Sequence, residues 1–196
     1  MSLADSITWD PHKQLGALIP SSLLFVRNGR DFERMAIHSG YFNRRAENLA
    51  DMTEIPPPNP GLKSPPTTRP LAALPLVTIL RGLGLDGVAA ELRAHLHAMR
   101  TLAQRLRDEP HVELCHTPQT GILCFRITPP NLSPSALDAV QRRIYEHIMA
   151  AGQRTISLTQ FGERTVLRLV VVSSAVTVDE LIQTVMIARD LGLQGE

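Results

Sequence analysis

Cysteine and lysine are scarce in this 196-residue chain, with two of each. Cys115 and Cys124 are too few for a disulfide framework, so a cross-linked secreted scaffold is excluded and a reducing cytoplasm is the expected setting. No sign of charge dominates. Lys plus Arg number 20 against 19 Asp plus Glu, a net charge of +1, and a dedicated nucleic-acid binder would carry a basic excess. No apolar run approaches the roughly 20 residues that span a bilayer. The opening Met-Ser-Leu-Ala-Asp-Ser has neither a charged n-region nor an apolar h-region, so no secretory signal is expected and no membrane partner. What is present is 43% hydrophobic residues, enough for a real core, in a length that suits one domain or one domain and part of another.

Of the 20 basic residues, 18 are arginine; the lysines are Lys13 and Lys63. Only lysine can serve as an amine nucleophile near neutral pH, because guanidinium stays protonated. Lys13 closes the segment Asp5-Ser6-Ile7-Thr8-Trp9-Asp10-Pro11-His12-Lys13. Ile7 to Trp9 favour extended structure, and Pro11 drives Asp10 out of the helical region. The segment predicts a lysine at a strand end, on a turn of restricted backbone, after a histidine able to donate to an anion. An amine so placed forms a Schiff base with an aldehyde when burial or nearby cations lower its pKa. A surface lysine in a turn is the plain alternative.

Further along, Ser22 to Arg27 reads as a short strand closed by Asn28-Gly29, and Asp31 as the cap of a helix reaching about Gly40. Residues 56–70 hold seven of the fifteen prolines, which neither helix nor sheet accommodates; an extended loop is expected, either a linker or a segment laid on a partner. Leu71 to about Arg107 is helical, with a kink expected at Pro75 and a second helix from Asp86. Its stripe is Val88, Leu92, His95, Met99, Leu102 and Leu106. Strands are expected at Val112–Cys115, Ile122–Ile127 and Val166–Val172. One helix starts at Ser133-Pro134 and stops at Gly152. Another is capped by Thr177 with Glu180 and ends before Gly192.

Other clusters carry less. His95 and His97 are two apart on a helix and point in different directions. His111 and His116 flank a strand with Cys115 and Cys124; tetrahedral zinc sites show tighter paired spacing, and buried thiols on adjacent strands are the simpler reading. Arg44-Arg45 and Arg142-Arg143 read as solvated charges. An arginine embedded in Val166-Leu167-Arg168-Leu169-Val170 needs an anionic or carbonyl partner if it points inward, and its planar fork suits a carboxylate. The alternative is the solvent face of an edge strand.

The Asp-Ser-Ile-Thr-Trp-Asp-Pro-His-Lys segment, followed by Ser22-Leu-Leu-Phe-Val-Arg27, resembles the group II pyridoxal-phosphate-dependent amino-acid decarboxylases, which include the aromatic amino-acid, glutamate and diaminobutyrate enzymes. Lys63 to Gly84 resembles that family's arginine-containing turn and following helix. Leu167-Arg168-Leu-Val-Val-Val-Ser-Ser-Ala-Val-Thr177 resembles its late strand. The resemblance implies an α/β chain of the aspartate-aminotransferase type (fold type I), cut to its C-terminal part. Residues 1–40 would be a large-domain remnant with the lysine turn, 41–84 a proline-rich loop and connecting helix, and 85–196 an α+β small domain. It implies pyridoxal 5'-phosphate as cofactor, with Lys13 holding it, His12 beside its phosphate, Asp10 fixing the turn and Arg168 meeting the substrate carboxylate. It implies decarboxylation of an L-amino acid by a homodimer, or by this chain with a complementing N-terminal half. The family's ring-binding aspartate, its stacking histidine and most of its phosphate cradle lie well upstream of the lysine, and only twelve residues precede Lys13 here. The lid tyrosine of the family has no counterpart between Arg44 and Arg69; Tyr41 is nearest. A catalytically silent fragment acting as a structural or interaction domain is the alternative.

Overall fold

The computed structural model describes residues 3–35, 68 and 70–194. The proline-rich stretch from Pro56 to Pro66 lies outside the described residues. So do Tyr41, Arg44, Arg45, Lys63, Arg69 and the expected helix end at Gly40. The chain forms two units. One comprises residues 1–12 and 17–79, the other residues 13–16 and 80–196.

In the first unit, β1 (Ser6–Trp9) and β2 (Leu23–Val26) pair antiparallel, with Ser6 opposite Val26 and Trp9 opposite Leu23. Asn28 Oδ1 accepts from the Arg30 amide at 3.1 Å, opening a 3-10 helix, Gly29–Met35, where a helix capped by Asp31 was expected. Between the strands the chain makes a single helical turn, α1 (Pro11–Gln14), rather than an irregular turn. Proline suits that first position, where its missing N–H is no loss.

The long helix α2 (Leu74–Arg105) crosses from the first unit into the second, and it is broken at Gly84, φ 67° and ψ 175°. Pro75 therefore starts the helix instead of kinking it. The break falls at a glycine because φ above zero costs other residues more.

The second unit has a four-stranded antiparallel sheet in the order β3-β4-β6-β5, built from β3 (Val112–Leu114), β4 (Ile122–Ile127), β5 (Ser157–Phe161) and β6 (Arg164–Val170). Its helices are the later part of α2, α3 (Pro134–Ala151) and α4 (Val178–Leu193). Alternation along a strand sends side chains to opposite faces. Leu123, Phe125 and Ile127 of β4 and Leu167 and Leu169 of β6 take the same face. With Met99, Leu102, Leu106, Ile144, Ile148, Leu181 and Val185 from the three helices they form one core. The helix signals were local and correct: Ser133 Oγ accepts from the Ala136 amide, Gly152 closes α3 in the left-handed conformation, and Thr177 with Glu180 makes a reciprocal capping box.

Two buried polar groups shape this core. Gln141, fully buried, donates to the Ile127 carbonyl at 2.8 Å and accepts from the Ile127 amide at 3.0 Å, so it stands in for a ladder partner. Arg126, also buried, donates to Asp138 at 2.5 Å and to the Pro134 carbonyl at 3.2 Å. Strand β5 was not anticipated, and Gly192 lies inside α4 rather than beyond it. Arg143 donates to the Gln194 carbonyl at 3.2 Å. It is thus a partner for the carbonyls that end α4, not a solvated charge.

Candidate active site

Asp10 and His12 sit in the first unit, and the loop that leads into β2 fixes both. Ser22, just before that strand, donates its hydroxyl to Asp10 Oδ1 at 2.5 Å. His12 Nδ1 lies 2.7 Å from the Ser21 carbonyl. A carbonyl only accepts, so Nδ1 carries a proton and Nε2 can donate only when the ring is a cation. Pro11 is buried and its carbonyl accepts from the Ala17 amide at 3.3 Å. Asp10 is thus tied by its carboxylate to the residue just before β2. Ser21 and Ser22 are the partners that sequence reading passed over; a serine at a strand start gives no local sign of what it bonds.

Lys13 belongs to the second unit by its packing and follows His12 directly. Its side chain is exposed. An exposed primary amine on a turn fixed at Asp10 and His12 fits the aldehyde end of pyridoxal phosphate.

Arg168 lies on β6, in the interior of the sheet, with Cys124 opposite on β4 and Ser157 opposite on β5. It is half-buried, on the face away from the core. Neither expectation, an inward arginine nor one on an edge strand, describes it. No hydrogen bond or ion pair to its side chain is present among the described residues. That separates it from Arg126, which Asp138 and Pro134 occupy, and from Arg164, bonded to Glu113 at 2.6 Å. A half-buried guanidinium without an anion is suited to an incoming carboxylate.

The two cysteines are free thiols, Cys124 on β4 and Cys115 just past the end of β3. Cys115 donates its amide to the Cys124 carbonyl at 3.0 Å, and the Cys124 amide donates to His116 Nε2 at 3.1 Å. Burial pushes the Cys115 thiol up to about 11, with Glu113 adding to the rise. Burial also raises Cys124, and Arg168 opposes that rise. Among the described residues no group of three or more His, Cys, Asp or Glu is placed to hold a metal ion. No helix among them is long and apolar enough to cross a membrane. His95 is buried on α2; its Nε2 is 3.3 Å from Glu91 Oε1 but out of line for a hydrogen bond.

The fold corresponds to one class. Mouse CSAD matches over 98% of this chain and 41% of its own, with a TM-score of 0.80 at 21% identity. The Catharanthus roseus tryptophan decarboxylase solved with L-tryptophan matches over 96% of this chain and 37% of its own, with a TM-score of 0.75 at 20% identity. The fold is therefore that of part of a fold type I pyridoxal-phosphate decarboxylase. The family model for the pyridoxal-dependent decarboxylase conserved domain matches residues 1–128, and the chain belongs to that family, whose cofactor is pyridoxal phosphate. The L-2,4-diaminobutyrate decarboxylase of Acinetobacter baumannii is 25% identical over 92% of this chain, and the rat aromatic-L-amino-acid decarboxylase 23% identical over 83%. The chain spans about a third of the length of these relatives, 34% and 33%.

Proposed function

We propose that this chain supplies the lysine-bearing part of a carboxy-lyase that decarboxylates an L-amino acid with pyridoxal 5'-phosphate. The observation that carries the reading is the turn at Lys13: an exposed amine follows directly on His12, whose ring is bonded to Ser21, and lies three residues after Asp10, which is bonded to Ser22. In this reading Lys13 holds the cofactor and releases it to substrate. His12 meets the cofactor phosphate through Nε2, which requires the protonated ring because Nδ1 is already committed to Ser21. Asp10 fixes the turn, and Arg168 takes the substrate carboxylate. Bound there, the cofactor supplies an electron sink for the carbanion that loss of carbon dioxide leaves. Asp10 is engaged by Ser22 and stands three residues from Lys13, so the carboxylate that faces the cofactor's ring nitrogen comes from another part of the assembly.

The same reading gives residues 1–40 to a large domain, 41–84 to a loop and connecting helix, and 85–196 to a small domain. It makes the working species a homodimer, or this chain with a complementing N-terminal half. The two free thiols favour a cytoplasmic setting. The test is covalent: pyridoxal phosphate is added, the adduct is reduced with borohydride, and the peptides are mapped. Lys13 is expected to carry the label in clear preference to Lys63. Equal labelling of the two lysines, or none, overturns the assignment.

A further inference from the structure

We propose that Ser157 is the second donor of a carboxylate site at Arg168: its hydroxyl and the Arg168 guanidinium together hold one carboxylate on the face of the sheet turned away from the core. That this carboxylate is the substrate's rests on the reading of Arg168 above; the pair itself rests on register and on what each side chain lacks. Ser157 opens β5 and stands directly opposite Arg168 on β6. Residues directly opposite in an antiparallel pair send their side chains to the same face, with Cβ atoms about 4.5–5.5 Å apart. A hydroxyl and a guanidinium so placed are close enough for one anion to accept from both. Both residues are half-buried, and neither side chain has a hydrogen bond or ion pair among the described residues.

Other polar groups of this sheet are already committed. The Thr165 hydroxyl, on the same strand as Arg168, accepts from Gln160 Nε2 at 3.2 Å and from Arg142 at 3.4 Å. Arg126 is taken by Asp138 and Arg164 by Glu113. Around Arg168, Ser157 and Cys124 stand opposite it, Val166 and Val170 lie two positions along its own strand, and Ile122 and Arg126 lie two positions from Cys124 on β4. None of these six is acidic, so no carboxylate among them neutralises the guanidinium. Burial raises the Cys124 thiol, which therefore stays protonated at neutral pH and adds no negative charge. A half-buried cation that its neighbours leave uncompensated favours an incoming anion. The guanidinium fork supplies the charge and matches the two oxygens of a carboxylate, and the serine hydroxyl adds one further directed bond.

The experiment uses the whole chain with acetate and L-alanine as probes, against chloride at matched ionic strength. NMR follows the Arg168 side-chain Nε–H signal, assigned by its loss in Arg168→Gln, and circular dichroism confirms the fold of each variant. Acetate is expected to shift that signal saturably, and chloride to leave it in place. Ser157→Ala should weaken acetate binding about tenfold, the scale of one hydrogen bond to a charged group. Ser157→Thr, which keeps the hydroxyl on a residue suited to strands, should bind acetate as the parent chain does, a rescue that a merely structural serine would not require. Acetate binding that Ser157→Ala leaves unchanged, or a loss that is equal in Ser157→Thr, overturns the second donor. No saturable shift with acetate overturns the site altogether. A saturable shift with acetate and none with L-alanine upholds the pair and overturns the substrate role given to Arg168. If Ser157→Ala fails to fold, Ser157→Cys, which keeps the size and weakens the donor, decides in its place.

Discussion

A methyl group at position 192 would sit 2.6 Å from Ile127 Cγ2 and 3.2 Å from Ile144 Cδ1. Both isoleucines are fully buried, and a β-branched side chain has little rotamer freedom with which to retreat. Gly192 is thus required by the close approach of α4 to β4 and α3, although a glycine near a helix end reads in sequence as a stop. Gly192→Ala is expected to destabilise the chain by about 1–3 kcal/mol from overpacking, offset by up to about 1 kcal/mol of helix propensity. Denaturant midpoints at constant slope measure the net effect, and a raised midpoint would mean that Ile127 yields freely. The same reasoning from neighbours separates the arginines. Arg126 and Arg168 both lie within strands flanked by apolar residues, and only their contacts distinguish Arg126, paired with Asp138, from Arg168, which has no side-chain hydrogen bond or ion pair among the described residues.

Helix α4 shows how an element is fixed from both ends. At its start the Thr177 amide donates to Glu180 Oε2 at 2.8 Å, and the Glu180 amide donates to Thr177 Oγ1 at 3.3 Å. At its end Arg143 meets the Gln194 carbonyl. The Thr177 amide bond to its carboxylate holds Glu180 below the ordinary 4.5, with the Thr177 hydroxyl bond next in weight. A carboxyl lowered on folding contributes stability that is fully present above its unfolded value and is lost as pH falls through the folded value. Stability measured from pH 6 downward should therefore begin to fall near the ordinary carboxylate range and keep falling below it. In Glu180→Gln the fall should be shallower, since the amide does not titrate. Parallel pH profiles for the two proteins would show that the box adds nothing through its charge. Glu91, also lowered, chiefly by the Ser174 hydrogen bonds, contributes in the same direction in both proteins, so the difference between them isolates Glu180.

At the scale of the molecule, the core of the second unit is complete in itself: one sheet, three helices and a continuous set of buried apolar residues. The first unit has a two-stranded sheet of four-residue strands, with Leu24 and Phe25 each 45% exposed. Two strands alone are marginal in water. A chain spanning about a third of its relatives, with Asp10 tied to its own turn, is expected to release carbon dioxide from amino acids at or near background when purified alone. Adding the family's N-terminal part, in cis or as a second chain, should restore both cofactor retention and turnover. Robust turnover by the 196-residue chain would mean that a second copy, or an unrecognised residue here, supplies the missing carboxylate.

What the sequence determined by itself is everything set within a few residues along the chain. The caps at Ser133 and Thr177, the stop at Gly152, the stripe through His95 and Met99, and the Asp-Pro-His-Lys wording that carries the family are all signals of that kind, because caps and periodicity act over one or two turns. The tertiary structure decided what depends on distant partners. Strand β5 has little inward apolar surface besides Leu158 and exists by pairing with β6. The break in α2 falls at Gly84 and not at Pro75, because a proline in the first turn of a helix costs no hydrogen bond. Gly192 reads as punctuation in the sequence, yet it is a point where Ile127 of β4 comes too close for a side chain. Its need for glycine is set by a residue tens of positions away, and no local pattern encodes that.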